Sequence, residues 1–173
     1  MLFRSPSGAT TGNVVVTVGG VPSNGVSFTV TASAFGGTPR AIPGTIQAED
    51  FDEGGENVAY HDSDPANNGG SYRTTGVDIE ATTDTGGGYD VGWMTAGEWL
   101  TYTVSVGQSG TYTLTARVAA SGAGGTFHVE FGGVDKTGAI PIPNTGDWQA
   151  WVDVTRTVTL ASGTQVMMKS NRE

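Results

Sequence analysis

The sequence predicts an all-β protein, a sandwich of two antiparallel sheets that carries an extra β-hairpin at its N-terminus. Short runs alternate apolar with polar residues, and turns about 8–12 residues apart separate them, which is typical of a two-sheet sandwich. No window has sustained helical spacing. The 173 residues include 28 Gly, and only 14% are charged. This composition favours tight turns on a compact β domain over a helical bundle.

The N-terminal hairpin is predicted from two apolar runs, residues 13–18 and 25–30, which the turn-rich segment 19–24 separates. A lone hairpin is at best marginally stable in water, so we expect it to join a sheet. The small, polar residues that follow predict a linker at 34–41. A second domain is expected over 42–173.

Alternation with a period of two is clearest at 100–106 of the second domain, and it repeats at 112–118 after a Gly-containing turn. Val166 and Met168 continue the same apolar pattern near the C-terminus. Because side chains on a strand point alternately to its two faces, each run predicts one buried face and one polar face. Similar shorter runs occur at 127–131, 152–154 and 158–160.

The charge excludes several classes of partner. Eight Lys and Arg against 17 Asp and Glu give a formal net charge of −9. This charge repels phosphate backbones and anionic lipid, so we expect no nucleic acid and no membrane as partners. No run of about 18 apolar residues predicts a membrane span. The absence of Cys excludes a disulfide scaffold and thiolate zinc sites.

Catalysis is an alternative that paired carboxylates keep open. Two carboxylates across a cleft can hydrolyse a glycosidic bond, and the candidates are Glu49, Asp50, Glu53 and Glu98. Carboxylates on a Gly-rich β domain are, however, mostly solvated or structural. The nucleophile elbow, the phosphate-binding loop and the zinc-protease helix motif are all absent from the sequence.

Two segments have the oxygen-rich composition of a cation site. The loop 61–70 is rich in Asp and Asn, but its spacing departs from a calcium-binding loop, and such residues also cluster in ordinary turns. Gln47 and Glu49 are two positions apart on a predicted strand, so they project to one face where their oxygens could bind a hard cation. The alternative is a polar pair on an edge strand.

Three tryptophans are placed where they could bind a sugar. Trp93 and Trp148 follow turns that contain Gly, and Trp99 lies on the polar side of its strand. The face of an indole ring stacks on the axial C–H groups of a pyranose and needs no charge on the ligand. A neutral polysaccharide therefore suits both the aromatic residues and the acidic charge, although tryptophans in sandwiches are often core residues.

Five blocks occur in an order that resembles a family 6 carbohydrate-binding module. They include Gln47-Ala48-Glu49-Asp50, then Gly92-Trp93-Met94-Thr95-Ala96-Gly97-Glu98-Trp99 and Thr145-Gly146-Asp147-Trp148, and together they span about residues 42–169. The resemblance implies a β-jelly roll and a non-catalytic, sugar-binding module beside a glycan-degrading enzyme. It also implies a structural calcium ion and an extracellular, secreted parent protein of several domains.

The resemblance also implies particular site residues. At the edge of the sandwich, a sugar would lie between two aromatic rings, Trp93 and Trp148. A second site, used by only some members, would lie on the concave sheet face, with Trp99 as platform and with Glu130, Lys169 and, more weakly, Glu53 as hydroxyl partners. Calcium would be bound by the side chains of Gln47 and Glu49 and by the Tyr89 carbonyl.

The sequence departs from the family pattern in two places. The last strand of the family is missing, so we expect a strand from 14–18 or 26–30 to fill the gap, within the chain or by exchange between two chains. An insertion at about 60–75 should reshape the edge site, and it should favour the ends of polysaccharide chains if it walls one side of the cleft.

Residues 1–33 weakly resemble the end of an IPT/TIG immunoglobulin-like domain, a spacer in large secreted bacterial enzymes.

Three functions are consistent with these features of the sequence. The first is binding of neutral β-linked polysaccharide or oligosaccharide, with β-glucan, xylan and agarose as candidates. The alternatives are a small glycoside-acting enzyme and a structural spacer.

Overall fold

The computed structural model describes residues 11–172, and within this range the regular secondary structure is almost all β-strand, joined by many turns and loops. Two 3₁₀ helices, Phe35–Gly37 and Ala48–Asp50, are each three residues long. The strands are, in chain order, β1 (Gly12–Val14), β2 (Thr17–Val18), β3 (Val21–Pro22), β4 (Val26–Phe28), β5 (Arg40–Ile42), β6 (Tyr60–His61), β7 (Ile79–Ala81), β8 (Tyr89–Val91), β9 (Trp99–Val106), β10 (Gly110–Val118), β11 (Thr126–Phe131), β12 (Val134–Asp135), β13 (Ile140–Pro141), β14 (Val152–Leu160) and β15 (Gly163–Arg172).

One sheet has seven strands, with the central order β12-β11-β15-β9-β5, and β13 and β6 pair with β11 and β9. All of its pairs are antiparallel except β5 with β9, which is parallel. The prediction of antiparallel sheets therefore fails at this edge. At this edge β5 runs beside the last three residues of β9, Val104 to Val106, and both strands point in the same direction.

The second layer is formed by β10 and β14, which pair over their full length from Gly110 opposite Leu160 to Val118 opposite Val152. The short strands β7 and β8 pair with each other. The apolar residues of the two layers meet between them in one core, which includes Leu100, Val104, Phe127 and Val158. The predicted all-β sandwich is confirmed.

The strand β15 does not follow the predicted apolar pattern. Met167 packs against the core, whereas Val166 is 45% exposed. Met167 lies opposite the core residues Tyr102 and Phe131, so the inward face of β15 is set by its register with β9 and β11. A shift of one residue in register turns every side chain on a strand to the opposite face of the sheet. The alternation of Val166 and Met168 therefore predicted the wrong inward face for β15.

The extra N-terminal hairpin is present: β1 pairs with β4, and β2 pairs with β3. Within residues 11–172, however, none of these strands pairs with the sandwich. The prediction that a hairpin strand fills a gap in the sandwich within the chain is therefore wrong, because these strands form their backbone hydrogen bonds with one another. Their apolar side chains stay open to solvent, and Val18 is 75% exposed.

The segment between the hairpin and β5 contacts the sandwich. Ser33 forms a bridge with Glu53, and Ala34 is buried. The predicted linker at 34–41 thus includes residues that pack on the second domain. No helix in the described part of the chain has the length and apolar character needed to cross a bilayer.

Candidate functional site

The two tryptophans predicted for the edge site are the most exposed indoles among the residues that the structure describes. Trp93 is 54% exposed and Trp148 is 67% exposed. Trp93 lies two residues beyond β8 and has a left-handed backbone with φ of 48°. Trp148 lies in the turn between β13 and β14, after Gly146 with φ of 88°. Both rings are therefore presented by turns rather than packed in the core.

Gln149 connects the turn of Trp148 to the hairpin of β7 and β8. Its Oε1 accepts hydrogen bonds from the Thr83 N–H at 2.9 Å and from the Thr82 hydroxyl at 3.1 Å. Its Nε2 donates to Glu80 at 3.0 Å and to Asp90 at 3.1 Å. Since β8 leads directly to Trp93, these bonds hold the supports of the two tryptophans together. Gln149 was not predicted as a site residue, although its position next to Trp148 in the motif was a usable signal.

Trp99 and Glu130 lie on the outer face of the large sheet. Trp99 is opposite Ser170, and Ser170 is opposite His128, so these three residues form a row across β9, β15 and β11. Glu130 follows His128 by two positions and shares its face. Trp99 and Glu130 thus lie on the same face of the large sheet.

Lys169 does not lie on that surface. Lys169 is opposite Leu100 and Val129, which are core residues, so its side chain lies on the inner face of the sheet. Its ammonium is 5.8 Å from the centre of the Phe127 ring and donates to the Met94 sulfur at 2.7 Å. Burial lowers the pKa of Lys169 to about 7, and the nearby Glu98 carboxylate only partly opposes this shift.

Glu53 is engaged elsewhere. Its carboxylate forms an ion pair with Arg73 at 3.1 Å, and its backbone bridges to Ser33. These contacts tie the insertion and the segment before β5 to the sandwich.

His128 is a second residue that the sequence analysis missed. It is only 4% exposed although it lies on the outer face, and its Nε2 is 2.9 Å from Glu130 Oε1. Its buried Nδ1 has no hydrogen-bond partner among residues 11–172. The alternation of β11, which places His128 on the same face as Glu130, was a usable signal.

The predicted calcium residues have different environments. Glu49 is 5% exposed, and burial raises the pKa of its carboxyl despite hydrogen bonds from its own N–H and that of Tyr89. The carboxylates of Asp50 and Asp90 raise it further. A buried carboxylate among other carboxylates and beside the Tyr89 backbone fits a hard cation. Gln47 is exposed, and its backbone carbonyl accepts the Asp50 N–H at 3.1 Å. The predicted strand through Gln47 and Glu49 is wrong, because Glu49 lies in the 3₁₀ helix Ala48–Asp50 and Gln47 precedes it.

The acidic loop 61–70 brings Asp62 and Asp64 together with Asp78, and one oxygen of each lies within 4.8 Å of the others. Asp62 accepts the Asp64 N–H at 3.0 Å, and Asp78 accepts the Asn68 N–H at 2.5 Å. These bonds shape the turns of the insertion. Asp78 was not predicted as a member of this cluster.

Glu98, a candidate catalytic carboxylate, is 3% exposed. Burial would raise the pKa of its carboxyl, but hydrogen bonds from Ser63 and Thr95 outweigh burial and lower it. The shortest of these comes from the Ser63 hydroxyl, at 2.6 Å. The group therefore stays ionised and holds the insertion against the turn before β9.

Comparison with known proteins identifies the family of the chain. The family model "Carbohydrate binding module (family 6)" matches residues 69–168. A module of Cellvibrio mixtus lichenase 5A, solved with cellotriose, is 36% identical with a TM-score of 0.55, and the match covers 75% of this chain and 87% of that module. A β-1,3-glucan-binding family 6 module from Bacillus halodurans is 26% identical with a TM-score of 0.61, covering 79% and 88%.

A curated relative, the clotting factor G alpha subunit of Tachypleus tridentatus, is 35% identical over 95 residues. The match covers 54% of this chain and spans only 14% of the length of that relative. The family model, in contrast, matches more than half of the chain and includes both exposed tryptophans. The chain therefore belongs to family 6 of the carbohydrate-binding modules.

Proposed function

We propose that this module binds a neutral β-linked glucan by stacking a sugar between Trp93 and Trp148. The observation that carries the proposal is the exposure of both indoles on turns whose supports Gln149 joins. Indole faces stack on the C–H groups of a pyranose, and an exposed, held ring loses little conformational freedom on binding.

A neutral ligand agrees with the charge of the chain. The formal net charge of −9 disfavours an acidic glycan. The similar modules from Cellvibrio mixtus and Bacillus halodurans were solved with cellotriose and described as β-1,3-glucan-binding, respectively. We therefore rank β-glucans ahead of xylan and agarose as the ligand of this chain.

The module would act without catalysis, in a secreted parent protein where it holds an enzyme on its polysaccharide. Glu98 supports this view, because its carboxylate is committed to Ser63 and Thr95. A hydrolase would need a second carboxylate across a cleft and a free acid. Release of reducing sugar from barley β-glucan by this chain, lost in Glu98→Gln, would establish the enzymatic alternative instead.

Affinity electrophoresis tests the edge site directly. The chain is run through gels that contain barley β-glucan, laminarin, xylan or agarose, beside its Trp148→Ala and Trp99→Ala variants. We expect retardation by a β-glucan that Trp148→Ala abolishes and Trp99→Ala leaves intact. If only Trp99→Ala abolishes retardation, the sugar binds at the sheet face of Trp99 and Glu130. If Trp148→Ala is retarded as strongly as the native chain, the edge-site assignment is wrong.

We further propose that Glu49, with Gln47 and the Tyr89 carbonyl, holds a structural calcium ion. Bound calcium would neutralise the carboxylates of Glu49 and Asp90 and so stiffen the start of β8. We expect added calcium to raise the melting temperature of the chain, EGTA to reverse this, and Glu49→Gln to remove the response. An unchanged calcium response in Glu49→Gln would refute the assignment.

A further inference from the structure

Two exposed tyrosines pack against each other, and neither ring belongs to the sugar-binding sites described above, although the backbone carbonyl of Tyr89 is part of the proposed calcium site. The ring centres of Tyr72 and Tyr89 are 4.8 Å apart and their planes are tilted by 35°. The two residues are 47% and 39% exposed. Phe35 adds a third ring, 5.9 Å from that of Tyr72. We call these three residues the aromatic ledge.

Polar contacts hold the ledge in place. The Tyr72 hydroxyl donates to Asp50 Oδ1 at 2.6 Å, and this bond raises the pKa of Tyr72 to about 12. The other oxygen of Asp50 pairs with Arg40 at 2.9 Å. The Arg73 guanidinium lies 4.6 Å from the centre of the Phe35 ring. The rings are therefore ordered before any ligand arrives, which lowers the entropic cost of binding.

The backbone at Tyr72 is strained. Its φ of 63° lies in the left-handed region, where a bulky side chain is unfavourable. Such conformations persist only where surrounding contacts hold them, and they concentrate at ligand sites. This backbone conformation places the exposed ring of Tyr72, a residue of the insertion, against the ring of Tyr89.

The ledge adjoins the edge site along the chain. Tyr89 begins β8, and Trp93 lies two residues beyond the end of that strand. Four residues of extended chain span at most about 14 Å, a distance that a few linked sugar units can cover. A polysaccharide held at Trp93 therefore comes within reach of the ledge.

We propose that the aromatic ledge is an additional subsite, on which a sugar unit of the same neutral glucan chain stacks. The rings contact the C–H face of the sugar, while Asp50 and Arg40 at their rim are hydrogen-bonding partners for its hydroxyls. The inference rests on the proposed function, and it predicts that long chains bind more tightly than short ones.

Titration calorimetry with two ligands of each linkage tests the ledge: cellobiose against cellohexaose, and laminaribiose against laminarihexaose. We expect Tyr72→Ala and Tyr89→Ala to weaken binding of the hexasaccharide about three- to tenfold, the loss of one stacking contact, and to leave the disaccharide unaffected. Phe28→Ala is the matched control, because Phe28 is also 39% exposed but lies in the N-terminal hairpin. It should change neither affinity.

The outcomes separate the ledge from the edge site. Trp148→Ala should abolish binding of both the disaccharide and the hexasaccharide. If Trp148→Ala still binds while Tyr72→Ala weakens binding of the hexasaccharide, the edge-site assignment is wrong and the ledge is supported. Hexasaccharide affinity unchanged in both folded tyrosine variants would overturn the ledge. Should either variant unfold, NMR of the native chain with ¹³C-labelled tyrosine decides: ring signals of Tyr72 and Tyr89 must shift with the hexasaccharide, and unmoved signals refute the subsite.

Discussion

Lys169 shows how strongly one side chain depends on the face of the strand that carries it. Its ammonium lies among Phe127, Met94 and Asn171 on the inner face of the sheet. A charged amine loses hydration there, so burial lowers its pKa to about 7. The residue therefore acts on stability rather than on sugar hydroxyls at the outer face.

Lys169→Met should stabilise the chain, by about 1–4 kcal/mol, because it replaces a buried charge with an apolar group of similar volume. The native lysine pKa of about 7 is below its unfolded value, so the unfolded chain binds more protons above pH 7. The unfolding free energy of the native chain should consequently rise from pH 7 to 10, more steeply than in the variant. Urea titrations at several pH values measure this difference, and parallel curves would contradict it.

Asp62 has the opposite pH behaviour. Burial raises its pKa to about 6, and the carboxylates of Glu98, Asp78 and Asp64 add to the shift. The native state thus holds more protons than the unfolded state between about pH 4 and 6, and stability is lost as pH rises through this window.

Asp62→Asn should remove that loss and keep the acceptor for the Asp64 N–H. We expect the variant to be more stable than the native chain at pH 7, by up to about 1 kcal/mol because Asp62 is partly hydrated. At pH 3.5 the two should melt alike. Lower stability of the variant at pH 7 would show that the acidic loop requires the charge.

Among the secondary-structure elements, the proposed binding surface depends on loops that are connected by side-chain hydrogen bonds. The turn of Trp148 follows β13, and its neighbour Gln149 contacts β7, β8 and the turn between them. A rigid support of this kind places both aromatic faces before the ligand binds.

Gln149→Ala should reduce affinity for the retarding β-glucan several-fold while the sandwich stays folded, because the turn of Trp148 loses its attachment. Gln149→Glu should also lower the melting temperature, since a third carboxylate would face Glu80 and Asp90. Affinity electrophoresis and thermal melts report the two effects separately. Native retardation of Gln149→Ala would show that Trp148 needs no such support.

At the scale of the whole molecule, the N-terminal hairpin and the sandwich are stabilised separately. The hairpin strands pair only with each other within the described residues, and their valines face solvent. The sandwich core lies between the large sheet and the layer of β10 and β14. The segment that joins them begins to contact the sandwich at about Ser33.

Deletion of residues 1–30 should therefore leave the melting temperature of the sandwich within about 2 °C of the full chain, because residues 11–30 contribute no residue to the core and no strand to its sheets. Extending the deletion through residue 42 should destabilise it, since β5 and Ala34 are removed. Differential scanning calorimetry of the two truncated chains makes the comparison. A large loss in the shorter deletion would show that the hairpin supports the sandwich.

Most of the architecture could be predicted because alternation is a local property. The runs of β9 and β10 carry their period of two in consecutive residues, and the blocks around Trp93 and Trp148 are contiguous. For the same reason the hairpin was predicted with its two apolar runs. Where the local pattern was ambiguous, as in β15 with Val166, Met167 and Met168 in succession, the inward face was predicted wrongly.

The sandwich class, the family and the two tryptophans on turns were predictable from the sequence, because each depends on residues close together in the chain. The inward orientation of Lys169 was found only in the folded chain, because strand register is set by the pairing of β15 with β9 and β11. The tertiary structure alone brought Tyr72 against Tyr89 and Asp78 against Asp62. Those contacts join residues far apart in the chain, and the packing of the insertion onto the sandwich creates them.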